Sequence, residues 1–177
     1  TLALAISRDQ GKSWTFKHVE IEDSGLEHAG DPDIVRLDDG TFRIFLTTMV
    51  NGCHGVICCD STDGIHFTPR GTAFAKAGLE LPDSTTFRLG SMWHMLTLEG
   101  RGVTQRHGTS SDGREFAVGE KMPFVADGEP YIAANGVPVD GGYRMYGFSP
   151  PARNFRSFFS SDGRQWTVEK GIRLALD

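Results

Sequence analysis

Apolar and polar side chains alternate with a period of two along most of this chain. Between positions 41 and 47, Phe42, Ile44 and Leu46 fall on one side of the backbone, and Arg43 lies between them. Such alternation is typical of a half-buried strand, and no long stretch shows a convincing helical period of about 3.6 residues. The pattern predicts an all-β fold with strands of about five to eight residues.

A short phrase recurs four times, at intervals of about 50 residues. In each copy a serine precedes an aspartate, a glycine and an aromatic residue. A fixed interval of this size is typical of repeat architectures, in which units stack because none can bury its apolar face alone. The copies occupy residues 7–14, 61–67, 110–116 and 160–166.

Two further patterns recur in phase with the phrase. One is the order aromatic, basic, aliphatic, and the other is a proline between two residues that are mostly acidic. Three independent patterns in one phase make coincidence improbable and predict three full repeats. The first pattern lies at 42–44, 93–95 and 143–145, and the second at 31–33, 81–83 and 129–131.

Each repeat has room for four strands. The first strand follows the proline pattern, a tight turn such as Asp39-Gly40 leads to the second, and the phrase joins the third to the fourth. Four antiparallel strands in about 50 residues are the size of one β-propeller blade. Full blades are predicted over 33–75, 83–125 and 135–175, and a half blade over 2–21.

A propeller closes into a ring of typically about four to eight blades, and this chain supplies about three and a half. Two ways of closing the ring are expected. Either the chain belongs to a longer protein that carries the other blades, or it closes by self-association with another copy.

Composition narrows the classes of partner. The formal net charge is −5, so no basic field favours nucleic acid. No stretch is apolar enough to span a membrane, and the first residues carry no pattern from which a compartment could be read.

The three cysteines, Cys53, Cys58 and Cys59, form a poor disulfide framework. Cys58 and Cys59 would point to opposite faces of a strand, which disfavours a shared metal even with His54 nearby. Buried reduced thiols are the favoured interpretation, and we expect neither a metal nor another cofactor.

The phrase resembles the Asp-box, the bacterial neuraminidase repeat Ser-x-Asp-x-Gly-x-x-Trp. Residues 7–14 match the full form, and the other copies match a form that is one residue shorter. The resemblance implies a turn between the third and fourth strands of a blade, away from the central funnel, with the aromatic packed between blades. It implies structural roles for Asp9, Asp63, Asp112 and Asp162.

Acidic residues gather at the proline patterns, where the innermost strands of a propeller begin and ligands usually enter the funnel. They are Asp31, Asp33, Asp83 and Glu129. Glycoside hydrolysis needs two carboxyl groups, one protonated and one ionised. Several carboxyls around one funnel push their pKa values apart, as this chemistry requires.

These elements resemble those of glycoside hydrolase family 43 and its relatives, five-bladed propellers with a base Asp, a pKa-tuning Asp and an acid Glu on successive blades. Asp31 and Glu129, each followed by proline, look like the first and last elements. Leu81 departs from the pattern, because it holds the expected acidic position and Asp83 follows two residues later. The resemblance implies Asp31 as general base, Asp83 as modulator and Glu129 as general acid.

Four further residues near the same strand ends are candidates for binding a carbohydrate substrate. His28 lies on a predicted funnel loop, Asp33 belongs to the acidic group, and Tyr131 and Asn135 carry hydrogen-bonding groups at the predicted rim.

Other functions remain open at this point. A sialidase-like enzyme would need a tyrosine nucleophile and a triad of arginines. The arginines available for such a triad are Arg36, Arg43, Arg88, Arg144 and Arg153. A propeller that binds glycan or protein without catalysis would explain Leu81. A structural repeat fragment follows if the ring never closes.

Overall fold

The computed structural model describes residues 2–22, 26 and 29–176, and within them the secondary structure is entirely β. The strands are β1 (Ala3–Ile6), β2 (Thr15–His18), β3 (Glu20–Ile21), β4 (Gly30–Arg36), β5 (Phe42–Val50), β6 (Cys53–Ser61), β7 (His66–Phe74), β8 (Ser84–Leu89), β9 (Met92–Leu98), β10 (Gln105–Ser110), β11 (Ala117–Met122), β12 (Phe124–Ala126), β13 (Glu129–Val139), β14 (Gly142–Ser149), β15 (Asn154–Ser160), β16 (Thr167–Val168) and β17 (Leu174–Ala175). Among the described residues, none builds a helix of the length and apolarity that a membrane crossing needs.

The predicted propeller architecture is confirmed. Strands β4–β7, β8–β11 and β13–β16 form three antiparallel sheets in chain order, here called blades one, two and three. Strands β1 and β2 form a separate hairpin before them, and β3 extends blade one by pairing in parallel with β7. In blade three, β12 pairs with β13 and β17 pairs with β15.

Blade three starts earlier than the predicted position 135. Asp127 and Gly128 both adopt positive φ, 53° and 83°, and their turn folds β12 back onto the first residues of β13. Strand β13 therefore begins at Glu129 and runs to Val139, with a bulge between Ala133 and Asn135.

The repeated phrase forms one kind of turn in all four copies. In blade two, Ser110 Oγ donates to Asp112 Oδ1 at 2.9 Å and accepts the Gly113 N–H at 3.0 Å. The other three copies contain the same two bonds. The Arg114 N–H also donates to Asp112, and these local bonds lower the pKa of its carboxyl. A carboxylate that stays ionised within its own turn fits the structural role implied for the phrase.

The core is divided into layers between consecutive units, because each sheet has an apolar side facing each neighbour. In β5, Ile44 and Leu46 face the layer shared with the β1–β2 hairpin, and Phe45 faces the layer shared with blade two. The layer between blades two and three contains Phe87, Leu96, Met145 and Phe158, among others.

In the three full blades, the aromatic residue of the phrase packs against the preceding unit. Phe116 meets the edge of Phe45 of blade one with ring centroids 5.9 Å apart, and Trp166 lies 5.7 Å from Phe87 of blade two. Phe67 is fully buried against residues of the N-terminal hairpin region. Trp14, in the first copy of the phrase, is 55% exposed.

This contrast makes a prediction about stability. Phe116→Ala should lower the free energy of unfolding by about 3–5 kcal/mol, because it opens a cavity in the layer between blades one and two. Trp14→Ala is the matched control and should change it by no more than about 0.5 kcal/mol. Denaturant unfolding followed by tryptophan fluorescence or circular dichroism measures both. Equal losses in the two variants would contradict inter-blade packing as the role of the aromatic.

A pair of buried histidines lies beside the layer between blades two and three. His94 Nδ1 and His107 Nε2 are 3.0 Å apart, and His94 also stacks on Phe87 at 5.0 Å. The pKa of both imidazoles is lowered to about 4, chiefly by burial and in smaller part by the Arg164 guanidinium and, for His107, by His94, while Asp162 opposes the shift. The pair is therefore neutral in the folded protein near pH 7.

The histidine pair predicts a loss of stability on acidification. In the unfolded chain each imidazole takes up its proton near pH 6.5, whereas the folded pKa is near 4, so stability falls as the pH drops between these values. The unfolding free energy should decrease between about pH 7 and about pH 5, by at most about 3 kcal/mol per imidazole over the full range. His107→Gln keeps a neutral hydrogen-bonding partner for His94 and should flatten the dependence. An unchanged slope in that variant would show that other groups cause the loss.

Candidate functional site

The innermost strands of the three blades, β4, β8 and β13, lie side by side and hydrogen bonds join them. The Thr86 N–H donates to Asp33 Oδ2 at 2.6 Å, which links blade two to blade one. Thr85 Oγ1 donates to the Ala134 carbonyl at 2.9 Å, which links blade two to blade three. The strands therefore hold their polar groups at fixed positions relative to one another.

The register between first and second strands defines a common level along the funnel wall. Three innermost residues pair with equivalent positions of their second strands: Asp33 with Phe45, Thr85 with Leu96, and Asn135 with Tyr146. Asp33 and Asn135, both predicted substrate-binding residues, thus lie at the same level on blades one and three.

Asp31 and Asp83 both have a left-handed backbone, with φ of 47° and 57°. This conformation is uncommon for residues other than glycine, although aspartate tolerates it better than most. The Asp83 N–H donates to Thr47 Oγ1 at 2.9 Å, which ties the start of blade two to blade one. Unusual backbone at corresponding strand starts is a feature that clusters at functional sites.

Asp31, Asp33 and Asp83 form one electrostatically coupled group, here called the carboxylate group. The pKa of Asp33 is raised to about 6, chiefly by burial and in smaller part by the Asp83 charge, while the side chain and the backbone N–H of Thr86 oppose the rise. The pKa of Asp83 is raised by the surrounding protein, although its side chain remains open to solvent, and by the charge of Asp31. Within the carboxylate group, the charges of neighbouring carboxyls thus contribute to the raised pKa values of Asp33 and Asp83.

A cavity of about 510 Å³ opens along the innermost strands and is here called the trough. Tyr143 contributes a hydroxyl whose pKa is raised to about 12 by burial and by the Asp33 charge. Thr86 Oγ1 is buried and has no hydrogen-bond partner among the described residues. The trough is lined by Asp33, Thr86, Arg88, Trp93, Asn135 and Tyr143, with further residues of β4 and β13.

Glu129 lies away from this level. On β13 it is Ile132 that pairs with Phe148, the position equivalent to Thr47, which pairs with Gly30 on β4. Glu129 lies three residues before Ile132, at the first position of β13 and next to the Asp127–Gly128 turn, and it is exposed. The structure brings Asp31 and Asp83 together and places Glu129 apart from them.

Tyr131, a predicted substrate-binding residue, is packed inside the protein. It is 2% exposed, its ring contacts Phe158 edge-on at 5.6 Å, and its hydroxyl donates to Asn154 Oδ1 at 2.7 Å. Asn135, in contrast, is exposed in the trough, and its Oδ1 accepts the Gly136 N–H at 2.7 Å. His28, the remaining predicted contact, lies outside the described residues.

Sequence reasoning singled out neither Thr86 nor Tyr143 as a binding residue. Both are ordinary strand residues in sequence, and they reach the trough only because blade two packs against blades one and three. The register of the second strands was the available clue, since it marks Thr85 and its neighbours as equivalent to Asp33.

Several arginines that a sialidase-like site would need are held by carboxylates. Arg43 makes a bidentate ion pair with Asp60, with Nε–Oδ1 and Nη2–Oδ2 distances of 2.6 and 3.0 Å. Arg144 is bound in the same way by Glu169, at 2.6 and 2.8 Å, and Arg88 Nη1 lies 2.5 Å from Asp38 Oδ2. These pairs favour structural roles for Arg43 and Arg144, whereas Arg88 also lines the trough.

The cysteines are free thiols, and Cys58 and Cys59 are buried. Burial raises the pKa of Cys58 to about 11 and that of Cys59 to about 12, so both stay protonated. In the part of the chain that the structure describes, no three His, Cys, Asp or Glu side chains are arranged to hold a metal ion.

Comparison with solved structures finds propeller folds of glycoside hydrolases. A family 117 glycoside hydrolase of the marine bacterium Zobellia galactanivorans superposes with a TM-score of 0.69 at 11% identity, over 86% of this chain and 59% of that one. A family 32 β-fructofuranosidase of Bombyx mori gives 0.63 at 17% identity, over 85% and 35%. An exo-β-1,3-galactanase of Phanerochaete chrysosporium gives 0.63 at 15% identity, over 88% and 40%.

At these identities the likeness shows the fold alone. No protein-family model matches the chain, and no curated protein sequence is significantly similar to it. The chain spans at most 59% of the length of these three structures.

Proposed function

We propose that this chain is part of a carbohydrate-processing propeller of the glycoside hydrolase type, acting by acid–base catalysis at the carboxylate group, of which Asp33 lines the trough. The observation that supports the proposal is the carboxylate group. Asp31, Asp33 and Asp83 lie at the starts of adjacent innermost strands, and burial together with mutual charge raises the pKa of two of them. Glycoside hydrolysis needs carboxyls whose protonation states differ, and such coupling supplies the difference.

In this proposal Asp31 is the general base and Asp83 tunes the pKa of its neighbours, as the resemblance to family 43 implies. Glu129, the acid in that resemblance, lies apart from the other two, so the proposed function does not depend on it. A carbohydrate as substrate is supported by the names of the structures similar in fold, a fructofuranosidase and a galactanase among them.

Binding without catalysis is the alternative, and one observation favours it. Leu81, which holds the position where the resemblance implies a carboxylate, is fully buried in the layer between blades one and two. A glycan bound in the same trough would then be retained without being cleaved.

The test compares Asp31→Asn with Asp127→Asn. Both replace an exposed aspartate of positive φ, 47° and 53°, by asparagine, which also tolerates this conformation, but only Asp31 belongs to the carboxylate group. The unmodified chain is first assayed with a panel of nitrophenyl α- and β-glycosides. Asp31→Asn should lower kcat/KM for the glycosides that are cleaved by about 10²–10⁴-fold, the usual contribution of a general base, and Asp127→Asn should not.

Three outcomes are informative. Full activity in Asp31→Asn would remove the base assignment. Saturable binding of a glycoside without nitrophenol release would select the binding alternative. Neither binding nor release across the panel would overturn a carbohydrate function for the trough.

A further inference from the structure

We propose that Asp33 is the catalytic acid of this site and that Thr86 and Tyr143 bind the hydroxyl groups of the sugar beside it. The inference rests on the proposed function and gives the role of acid to Asp33 in place of Glu129. It follows from the position of Asp33 in the trough, from one unpartnered hydroxyl and from the surrounding charges.

The position of Asp33 is fixed from two blades. Its strand belongs to blade one, and its Oδ2 accepts the Thr86 N–H of blade two at 2.6 Å. The residue is partly buried and lines the trough together with Asn135 and Tyr143. A carboxyl held by a backbone donor at the wall of a cavity has the preorganisation that proton transfer to a bound substrate needs.

Thr86 supplies a second observation, although its side chain also lies near enough to Asp33 to lower the pKa of that carboxyl. The residue is 6% exposed and lines the trough, yet its Oγ1 has no hydrogen-bond partner among the described residues. A buried hydroxyl without a partner costs about 1–3 kcal/mol, so such groups usually have a partner in the functional state. A sugar hydroxyl in the trough would be that partner.

Charged and titratable groups from the neighbouring strands surround Asp33 and affect its pKa. Asp83, just before β8, raises its pKa, and the Tyr143 hydroxyl on β14 lies close enough to respond to its charge. Arg36, Asp38 and Arg88 line the same trough, and Arg88 is paired with Asp38. The balance leaves the pKa of Asp33 near 6, so a proton is retained at mildly acidic pH.

The reaction balances with water as the second substrate. As the bond between the anomeric carbon and the glycosidic oxygen breaks, its electron pair stays on that oxygen, which takes the Asp33 proton. The oxygen of a water molecule bonds to the anomeric carbon and releases a proton to the Asp31 carboxylate. Exchange of protons with solvent restores both carboxyls, and the net change is hydrolysis of one glycosidic bond.

A leaving-group series tests the assignment with the unmodified full chain and Asp33→Asn. Dinitrophenol leaves without protonation, whereas methoxyphenol needs a proton from an acid. Asp33→Asn should therefore lose about 10²–10⁴-fold in kcat on methoxyphenyl glycosides, the range for a general acid, and far less on dinitrophenyl glycosides. The limb of the pH–rate profile that falls as pH rises above about 6 should disappear in the variant.

Two variants guard against a merely structural effect. Thr86→Val keeps the backbone N–H that binds Asp33 but removes the hydroxyl, so it should raise KM, move the falling limb of the pH–rate profile to higher pH and leave the leaving-group dependence unchanged. Glu129→Gln tests the rival assignment of the acid to Glu129, and any loss of kcat in this variant should be the same for good and poor leaving groups. Thermal melting checks that each variant is folded.

The outcomes separate the two proposals. If the unmodified chain cleaves glycosides but Asp33→Asn loses equally on good and poor leaving groups, the acid assignment is overturned and the proposed function stands. A leaving-group dependence in Glu129→Gln would overturn it as well. If no glycoside of the series is cleaved, the proposed function fails and the acid assignment fails with it.

Discussion

The structure depends on the stacking of blades that cannot stand alone. A four-stranded sheet with two apolar faces is stable only between neighbours, so each unit must present matching surfaces on both sides. Two contacts recur at these junctions. In blades two and three the aromatic of the phrase packs on the preceding blade, as Phe116 does on Phe45. A basic second-strand residue also reaches the phrase turn of the next blade: Arg43 Nη1 donates to the Asp112 carbonyl at 3.1 Å. His94 occupies the same position in blade two and lies against Gly163.

The candidate site is a consequence of this stacking. Packing the blades brings three innermost strands together and places Asp33 of blade one beside Thr86 of blade two. The site carries several features that oppose stability: a carboxyl whose pKa is raised by burial, a buried hydroxyl without a partner, and two aspartates with positive φ. Local strain of this kind persists where the surrounding packing over-determines it, and it concentrates at sites that bind or react.

The fold was predictable from the sequence because three patterns repeat in phase, and a repeat constrains every blade at once. The site was predictable only in part. Asp31, Asp33, Asp83 and Asn135 could be proposed because acidic and amide groups stand out near the strand starts, and these four remain predictions. Glu129 and Tyr131 share the proline pattern with Asp31, but in β13 this pattern pairs with β12, so it lies outside the level that Asp33 and Asn135 share. Sequence spacing does not reveal such a shift, nor does it reveal that Thr86 and Tyr143 meet across blade boundaries.

The central claim is that a buried, charge-coupled carboxyl at Asp33 lies where a sugar binds. Its most direct test is a carbon-13 NMR titration of the aspartate carboxyl resonances, with Asp33→Asn used to assign the signal. One carboxyl should titrate near pH 6, should be missing in the variant, and should shift when a glycoside that the chain binds is added. A resonance of Asp33 that titrates near pH 4, the ordinary range for aspartate, and does not respond to the glycoside would contradict the claim.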